Sequence, residues 1–327
     1  MLSPHECSEA QNRCAAIADG LDRILLGQGP LTRLVLTGML SGGHVLLEGL
    51  PGLGKTELVK GIGALCGLAM KRIQFTPDLL PADITGTGVL EEGPAGRRMV
   101  FKPGPIFAQI VLADEINRAG PKTQAALLEA MAERSVTVLG ERHALDNPFF
   151  VLATQNPVEL DGTYPLPEAQ LDRFTIKARV TGVDEDTLTR IVLERHGGKT
   201  PSLEPVTNAA GLRDLIGWQQ QIAMGEAVAR YLARLINATR PELPGATQDI
   251  AQGLRFGASP RAALALAAAA RAQALMSGRP AVGFEDIKRL AVPVLAHRLV
   301  LTYEAQLAGK TAITLLDGLL AEIPEAV

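Results

Sequence analysis

The segment Gly49-Leu50-Pro51-Gly52-Leu53-Gly54-Lys55-Thr56 sets three glycines, a lysine and a hydroxyl at the spacing of a phosphate-binding loop. Glycines let the backbone turn its N–H groups inward, and a helix that starts directly afterwards favours anions at its N-terminus. Lys55 then reaches the β- and γ-phosphates as a point charge, and the Thr56 hydroxyl ligates Mg²⁺. Gly49, Pro51, Gly52, Leu53, Gly54, Lys55 and Thr56 are thus the expected cradle for ATP and Mg²⁺.

Six further positions carry side chains suited to the same chemistry. Ile110-Val111-Leu112-Ala113-Asp114-Glu115 is an apolar run ending in two carboxylates. Beside a phosphate loop, Asp114 suits Mg²⁺ and Glu115 suits polarising an attacking water; in isolation the pair reads better as a solvated acidic turn, and the phosphate loop reverses that preference. Asn156, at the tip of Phe149-Phe150-Val151-Leu152-Ala153-Thr154, either orients that water or serves as a turn-forming residue before Pro157. Arg173 is either an arginine finger for a neighbouring subunit or a local partner of Asp172 or Glu168. Arg261 follows Ser259 and Pro260, an N-cap and a first helical residue, and either closes over the nucleotide or is structural. Arg118 is a weaker candidate for a subunit boundary.

These residues need a scaffold of strands that end where helices begin. Apolar runs at His44–Glu48, Ile73–Phe75, Ile110–Ala113, Phe149–Ala153 and Phe174–Val180 are separated by helix-length segments. Leu58, Val59, Ile62 and Leu65 recur at helical spacing after Lys55. Strands alternating with helices imply an α/β fold with a parallel, helix-covered sheet. Between the second and third strands, the Gly- and Pro-rich stretch 78–107 predicts a projecting hairpin, and 135–145 predicts another. After Val180 strand signals stop. Helical patterning near 184–196, 208–222, 226–240, 259–276, 284–297 and 304–322 predicts a helical domain. The division expected is an ATPase core over 1–181 and a helical lid over 182–327.

Composition narrows the function. The chain has 327 residues, 47% hydrophobic and 20% charged, enough apolar material for a folded two-domain protein. A net charge of -3 with no basic block disfavours DNA or RNA as a main partner. Cys7, Cys14 and Cys66 show neither zinc-site nor disulfide spacing, which suits a reducing cytoplasm. No signal peptide or membrane span is read; Ala262–Met276 is a buried, Ala-rich helix rather than a span.

With these residues in place the chain resembles the MoxR family of AAA+ ATPases, from about Gly27-Gln28 to Arg261. The resemblance rests on Gly43–Gly49, Asp114-Glu115-Ile116-Asn117-Arg118, Ala153-Thr154-Gln155-Asn156-Pro157 and Tyr164–Phe174. It implies a five-stranded sheet in the order 5-1-4-3-2, with 78–107 as the helix-2 insert and 135–145 as the hairpin before sensor 1. It also implies that Lys55 and Thr56 are Walker A, Asp114 and Glu115 Walker B, Asn156 sensor 1, Arg173 the arginine finger and Arg261 sensor 2. Gly27 and Gln28 look like the adenine-side segment. Ala119-Gly120-Pro121 departs from the family, whose members more often carry two prolines there. What the family implies in function is a ring, commonly a hexamer, that matures or activates client proteins, often with von Willebrand factor A-domain partners. A slow ATP-operated binding switch would use the same motifs, and a DNA translocase is a third, weaker alternative.

Overall fold

The structure is a computed structural model that describes residues 2–49, 52, 54–93, 96–157, 162–194 and 201–325. Its centre is a parallel sheet of β1 (Val45–Glu48), β2 (Met70–Gln74), β5 (Ile110–Asp114), β8 (Phe150–Gln155) and β9 (Ile176–Arg179). The spatial order is β2-β5-β8-β1-β9, which is 5-1-4-3-2 when the core strands alone are numbered and read from the β9 edge. Register carries the strand ends into line: Glu48 lies opposite Gln155, and Asp114 opposite Gln74.

Side chains alternate across this sheet, and both faces are covered. Val45, Leu47, Leu112, Leu152 and Ile176 pack on the face of α1 (Pro4–Ile24), α2 (Gly29–Leu40) and α3 (Lys55–Leu65). Leu46, Val111, Ala113, Val151 and Ala153 pack on the other face with α5 (Pro121–Glu133). The helix starts carry their expected signals. Ser3 and Glu6 form a capping box before Pro4, and Ser259 Oγ accepts the Ala262 N–H ahead of Pro260.

Both expected hairpins are present. β3 (Gly86–Gly93) pairs with β4 (Gly96–Pro103) after the short helix α4 (Pro81–Thr85), and β6 (Ser135–Val138) pairs with β7 (Glu141–Ala144). The first is longer than its apolar residues suggested, because its polar flanks pair as well. The two hairpins meet: Phe101 stacks on His143 with ring centroids 3.9 Å apart.

The C-terminal region holds α6 (Glu168–Leu171), α7 (Glu185–Glu194), α8 (Ala209–Gln221), α9 (Glu226–Ala238), α10 (Gln248–Gly253), α11 (Pro260–Met276), α12 (Phe284–Leu295), α13 (Tyr303–Leu307) and α14 (Ala312–Glu322), of which α6 still belongs to the core. Two features correct the all-helical expectation. β10 (Leu254–Phe256) and β11 (Val300–Leu301) form a small antiparallel ladder, and the segment 304–322 is two helices broken at Gly309, whose φ is +73°. Buried residues of α8, α9, α11, α12 and α14 belong to the same apolar core as α1 and α2, so the lid packs on the back of the sheet. Among the described residues no helix is long and apolar enough to cross a membrane. Cys7, Cys14 and Cys66 are free and buried, and burial pushes the Cys14 and Cys66 thiols up to about 12.

Candidate functional site

A cavity of about 320 Å³ opens where β1, β5 and β8 end and α3 begins. Gly52, Gly54, Lys55, Thr56, Asp114, Glu115 and Asn156 line it, so residues up to 104 positions apart in sequence converge as expected. Gly52 and Gly54 have φ of +82° and +78°, a region that favours glycine. A Cβ at Gly52 would meet nothing within 4 Å, which leaves the loop backbone open to a ligand. Leu50, Pro51 and Leu53 lie outside the described residues. Lys55 Nζ donates to the Gly49 carbonyl, closing the loop on itself. Burial lowers the Lys55 ammonium from its ordinary value, while Asp114 and Glu115 pull it upward.

The carboxylates are held from several strands. Thr154 on β8 donates its hydroxyl to Asp114 Oδ1 at 2.6 Å and accepts the Glu115 N–H at 2.8 Å. Arg72 on β2 donates to Asp114 Oδ2 from Nε at 3.1 Å and Nη2 at 2.6 Å. Gln74 donates to Glu115 Oε2 at 2.8 Å, and Arg118 joins the same oxygen at 3.0 Å. Glu115 itself has φ +56°, a turn that redirects the chain after β5 and points its carboxylate into the cavity. Asn156 is 6% exposed, and its carbonyl accepts from Asn117 Nδ2 at 3.3 Å.

Gly27 and Gln28 sit at the entrance to α2. Gln28 Nε2 donates to Thr181 O at 2.9 Å, clipping this segment to the loop after β9. Gly27 has φ +75°, and a Cβ there would lie 2.7 Å from Thr187 of α7.

Arg173 and Arg261 do not reach the cavity. Arg173 is exposed and donates to Leu128 O at 2.9 Å, and Arg261 Nη1 pairs with Asp172 Oδ2 at 3.2 Å. Asp172 is held more firmly by Arg298, from Nε to Oδ1 at 2.8 Å. Arg261 therefore stands beside Arg173 rather than over the phosphate loop of its own chain. Arg118, weighed for a subunit boundary, lies against Glu115 within its own site.

Arg72, Gln74, Thr154 and Arg298 were not singled out from sequence. Arg72 and Gln74 had one signal: they flank Ile73 with strand alternation, which puts both on the same face of the strand. Thr154 and Arg298 had none.

Whether Mg²⁺ suits these residues can be judged from the donor set. Thr56 and Asp114 share one cavity, and no group of three or more His, Cys, Asp or Glu fit for a metal occurs among the described residues. That matches Mg²⁺, which binds through one or two carboxylates and substrate phosphates rather than an all-protein cage.

A glycine loop between strand and helix, paired carboxylates on the adjacent strand but one and a helical lid define a P-loop ATPase of the AAA+ class. Residues 44–176 match the family described as "ATPase family associated with various cellular activities (AAA)", and residues 246–318 match "AAA lid domain". Over 86% of the chain it is 44% identical to Chaperone MoxR1 of Mycobacterium tuberculosis, covering 74% of that protein. Over 93% it is 35% identical to Protein MoxR of Paracoccus denitrificans, covering 94% of it. The uncharacterized protein YeaC of Bacillus subtilis is 42% identical, with 94% and 92% of the two chains covered. A crystal structure of a proposed ATPase from Cytophaga hutchinsonii superposes with a TM-score of 0.90 at 36% identity, covering 98% of this chain and 97% of the other. The chain belongs to the MoxR family of AAA+ ATPases.

Proposed function

We propose that the chain hydrolyses ATP with Mg²⁺ in a ring of identical subunits and uses the cycle to remodel or activate a client protein. The observation that carries this reading is the division of the site. The binding and water-activating groups share one cavity, whereas Arg173 and Arg261 stand together outside it, where a neighbouring subunit's nucleotide would meet them.

In this reading the loop amides and Lys55 hold the phosphates, and Lys55 exchanges the Gly49 carbonyl for a phosphate oxygen. Thr56 and Asp114 would hold Mg²⁺ together with the phosphates, and the ion would supply neutralisation of negative charge there. Glu115 accepts a hydrogen bond from the attacking water, and Asn156 fixes that water's position. Arg173 of the neighbour supplies a planar cation to the transferred phosphoryl group. Gly27 and Gln28 border the base. The paired hairpins expose Val89, Leu90, Met99 and Leu139, apolar side chains suited to an unfolded or partly folded client. The name Chaperone MoxR1, carried by one relative, is consistent with such work.

The test is complementation between two inactive variants. Glu115→Gln and Arg173→Ala should each bind ATP, and each should lose about 10³ or more in turnover. Mixed, they should regain turnover, because an Arg173→Ala subunit keeps its own Glu115 and receives Arg173 from its neighbour. A mixture as inactive as its components would overturn the shared site.

The grip of Arg298 and Arg261 on Asp172 also favours a switch reading, in which nucleotide sets the lid angle and hydrolysis only resets it. A client that raises turnover supports the motor; one that changes only in affinity with nucleotide supports the switch.

A further inference from the structure

The outer edge of the sheet opens onto a second and larger cavity, of about 800 Å³, between β9, α2 and the lid helices α12 and α14. Among the described residues β9 is hydrogen-bonded in the sheet to β1 alone. The Val180 N–H donates to Glu48 O at 2.8 Å, and in a parallel pair alternate residues turn their amides to the same side. Lys177 and Arg179 therefore direct their N–H and C=O groups outward, into the cavity they line. One end of the edge is already closed, because His297 Nε2 and Arg298 Nη2 both bond Phe174 O, at 3.0 and 2.9 Å. An open row of strand amides is a template for an added strand.

The walls select what would lie there. Arg33, Lys177, Arg179 and Arg289 line the cavity against a single carboxylate, Glu48. Glu48 is taken by Lys177 at 3.0 Å, and Arg33 reaches Asp22 at 3.8 Å. Among the described residues, Arg179 and Arg289 have no carboxylate within 4.0 Å. Leu34, Val292 and Ile313 supply apolar surface between the cations. His297 is 9% exposed; with its Nε2–H given to Phe174 O, its Nδ1 is an acceptor, and that atom has no partner. That atom is itself shut off from the cavity surface, so a ligand's contacts would be the strand amides and the arginines.

We propose that this groove takes an extended acidic peptide segment of a partner protein, seated as an added strand along Lys177–Arg179 with its carboxylates on Arg179 and Arg289. Alternation of apolar and acidic residues suits it, since successive strand side chains face opposite ways. The two cavities share no lining residue, so peptide and nucleotide would occupy separate sites.

The probe is fluorescein-labelled (Glu-Val)₄-amide, titrated by anisotropy with the full chain. It should bind saturably, whereas the same peptide N-methylated at alternate amides should bind at least tenfold more weakly and (Lys-Val)₄-amide should not bind. The double variant Arg179→Glu, Arg289→Glu should lose at least tenfold in peptide affinity and keep its ATP binding. No saturable binding, equal binding of the N-methylated peptide, undiminished binding by the double variant, or displacement of the peptide by ATP would each overturn the proposal.

Discussion

Thr154 ties the two acidic residues together, since its one hydroxyl serves Asp114 Oδ1 and the Glu115 N–H at once. It is 1% exposed, so Thr154→Val leaves a buried donor and a carboxylate oxygen each short of a bond. The expected cost is about 1–3 kcal/mol in urea denaturation, with turnover down roughly tenfold, and Thr154→Ser should restore both. Gly120 shows the opposite case. Its φ of -63° and ψ of 161° are those of a proline, Ala119 before it is extended at φ -91° and ψ 154°, and a Cβ would meet nothing within 4 Å. Gly120→Pro should therefore raise stability by about 0.4–1 kcal/mol, read as a higher Tm, through a stiffer unfolded chain. A lowered Tm would mean that the Gly120 N–H has a role. At this scale the sequence was legible wherever spacing within one loop or strand end defines the chemistry, as for Lys55, Thr56, Asp114 and Asn156. Arg72, Gln74 and Thr154 act through the register of β2, β5 and β8, and no linear spacing records which residues register sets side by side.

The elements are joined at one buried point. Arg298, in the turn after α12, is 3% exposed at its side chain and binds Asp172 Oδ1, Asp172 O, Phe174 O and Val294 O, whereas Arg261 on α11 is 68% exposed and binds Asp172. Burial lowers the Arg298 guanidinium from its ordinary value, and Asp172 opposes that shift. Removing one member of a buried pair strands the other, so Arg298→Met should cost about 3–5 kcal/mol. Arg261→Ala, which removes an exposed pair, should cost about 1 kcal/mol or less. Equal costs in denaturant titrations would contradict this assignment of the lid's anchor. Asp172 precedes Arg173, so a lid movement that pulls on Arg298 also moves the proposed finger. Most helices and all five core strands were legible from period and length. β2 was read too short because Lys71 and Arg72 interrupt its apolar pattern at the sheet edge, and β10 and β11 were missed because three and two residues carry no period.

Across the whole molecule, proton binding couples to folding through two buried histidines. His44 Nδ1 accepts the Val151 N–H at 3.0 Å and its Nε2 faces Met131 O at 3.3 Å, so the ring is neutral with its proton on Nε2. Burial lowers His44 to about 4, with Arg134 adding to the shift and the Met131 carbonyl resisting it. Burial likewise lowers His297 to about 3, with Arg298 and Lys177 adding to it and the Phe174 carbonyl resisting. The unfolded chain takes up both protons near pH 6.5 while the folded chain refuses them, so the unfolded state binds more protons below that pH. Stability is then full above about pH 6.5 and falls as the pH drops through the window toward 4. Each histidine should remove about 2 kcal/mol by pH 5 relative to pH 7.5. Urea midpoints at the two pH values measure this, and the difference rather than the absolute midpoint is the readout, since a substitution that lowers stability equally at both leaves the difference unchanged. His44→Gln and His297→Gln should each shrink the pH difference by about half, and the double variant should nearly abolish it. Staying at or above pH 5 leaves out the carboxylates whose pKa values their hydrogen bonds lower, such as Asp184 with Thr187, because their contribution is lost only at more acid pH. A wild-type midpoint that does not move between pH 7.5 and 5 would mean that these two rings take up protons in the folded chain, and that the Val151 and Phe174 contacts do not hold them neutral.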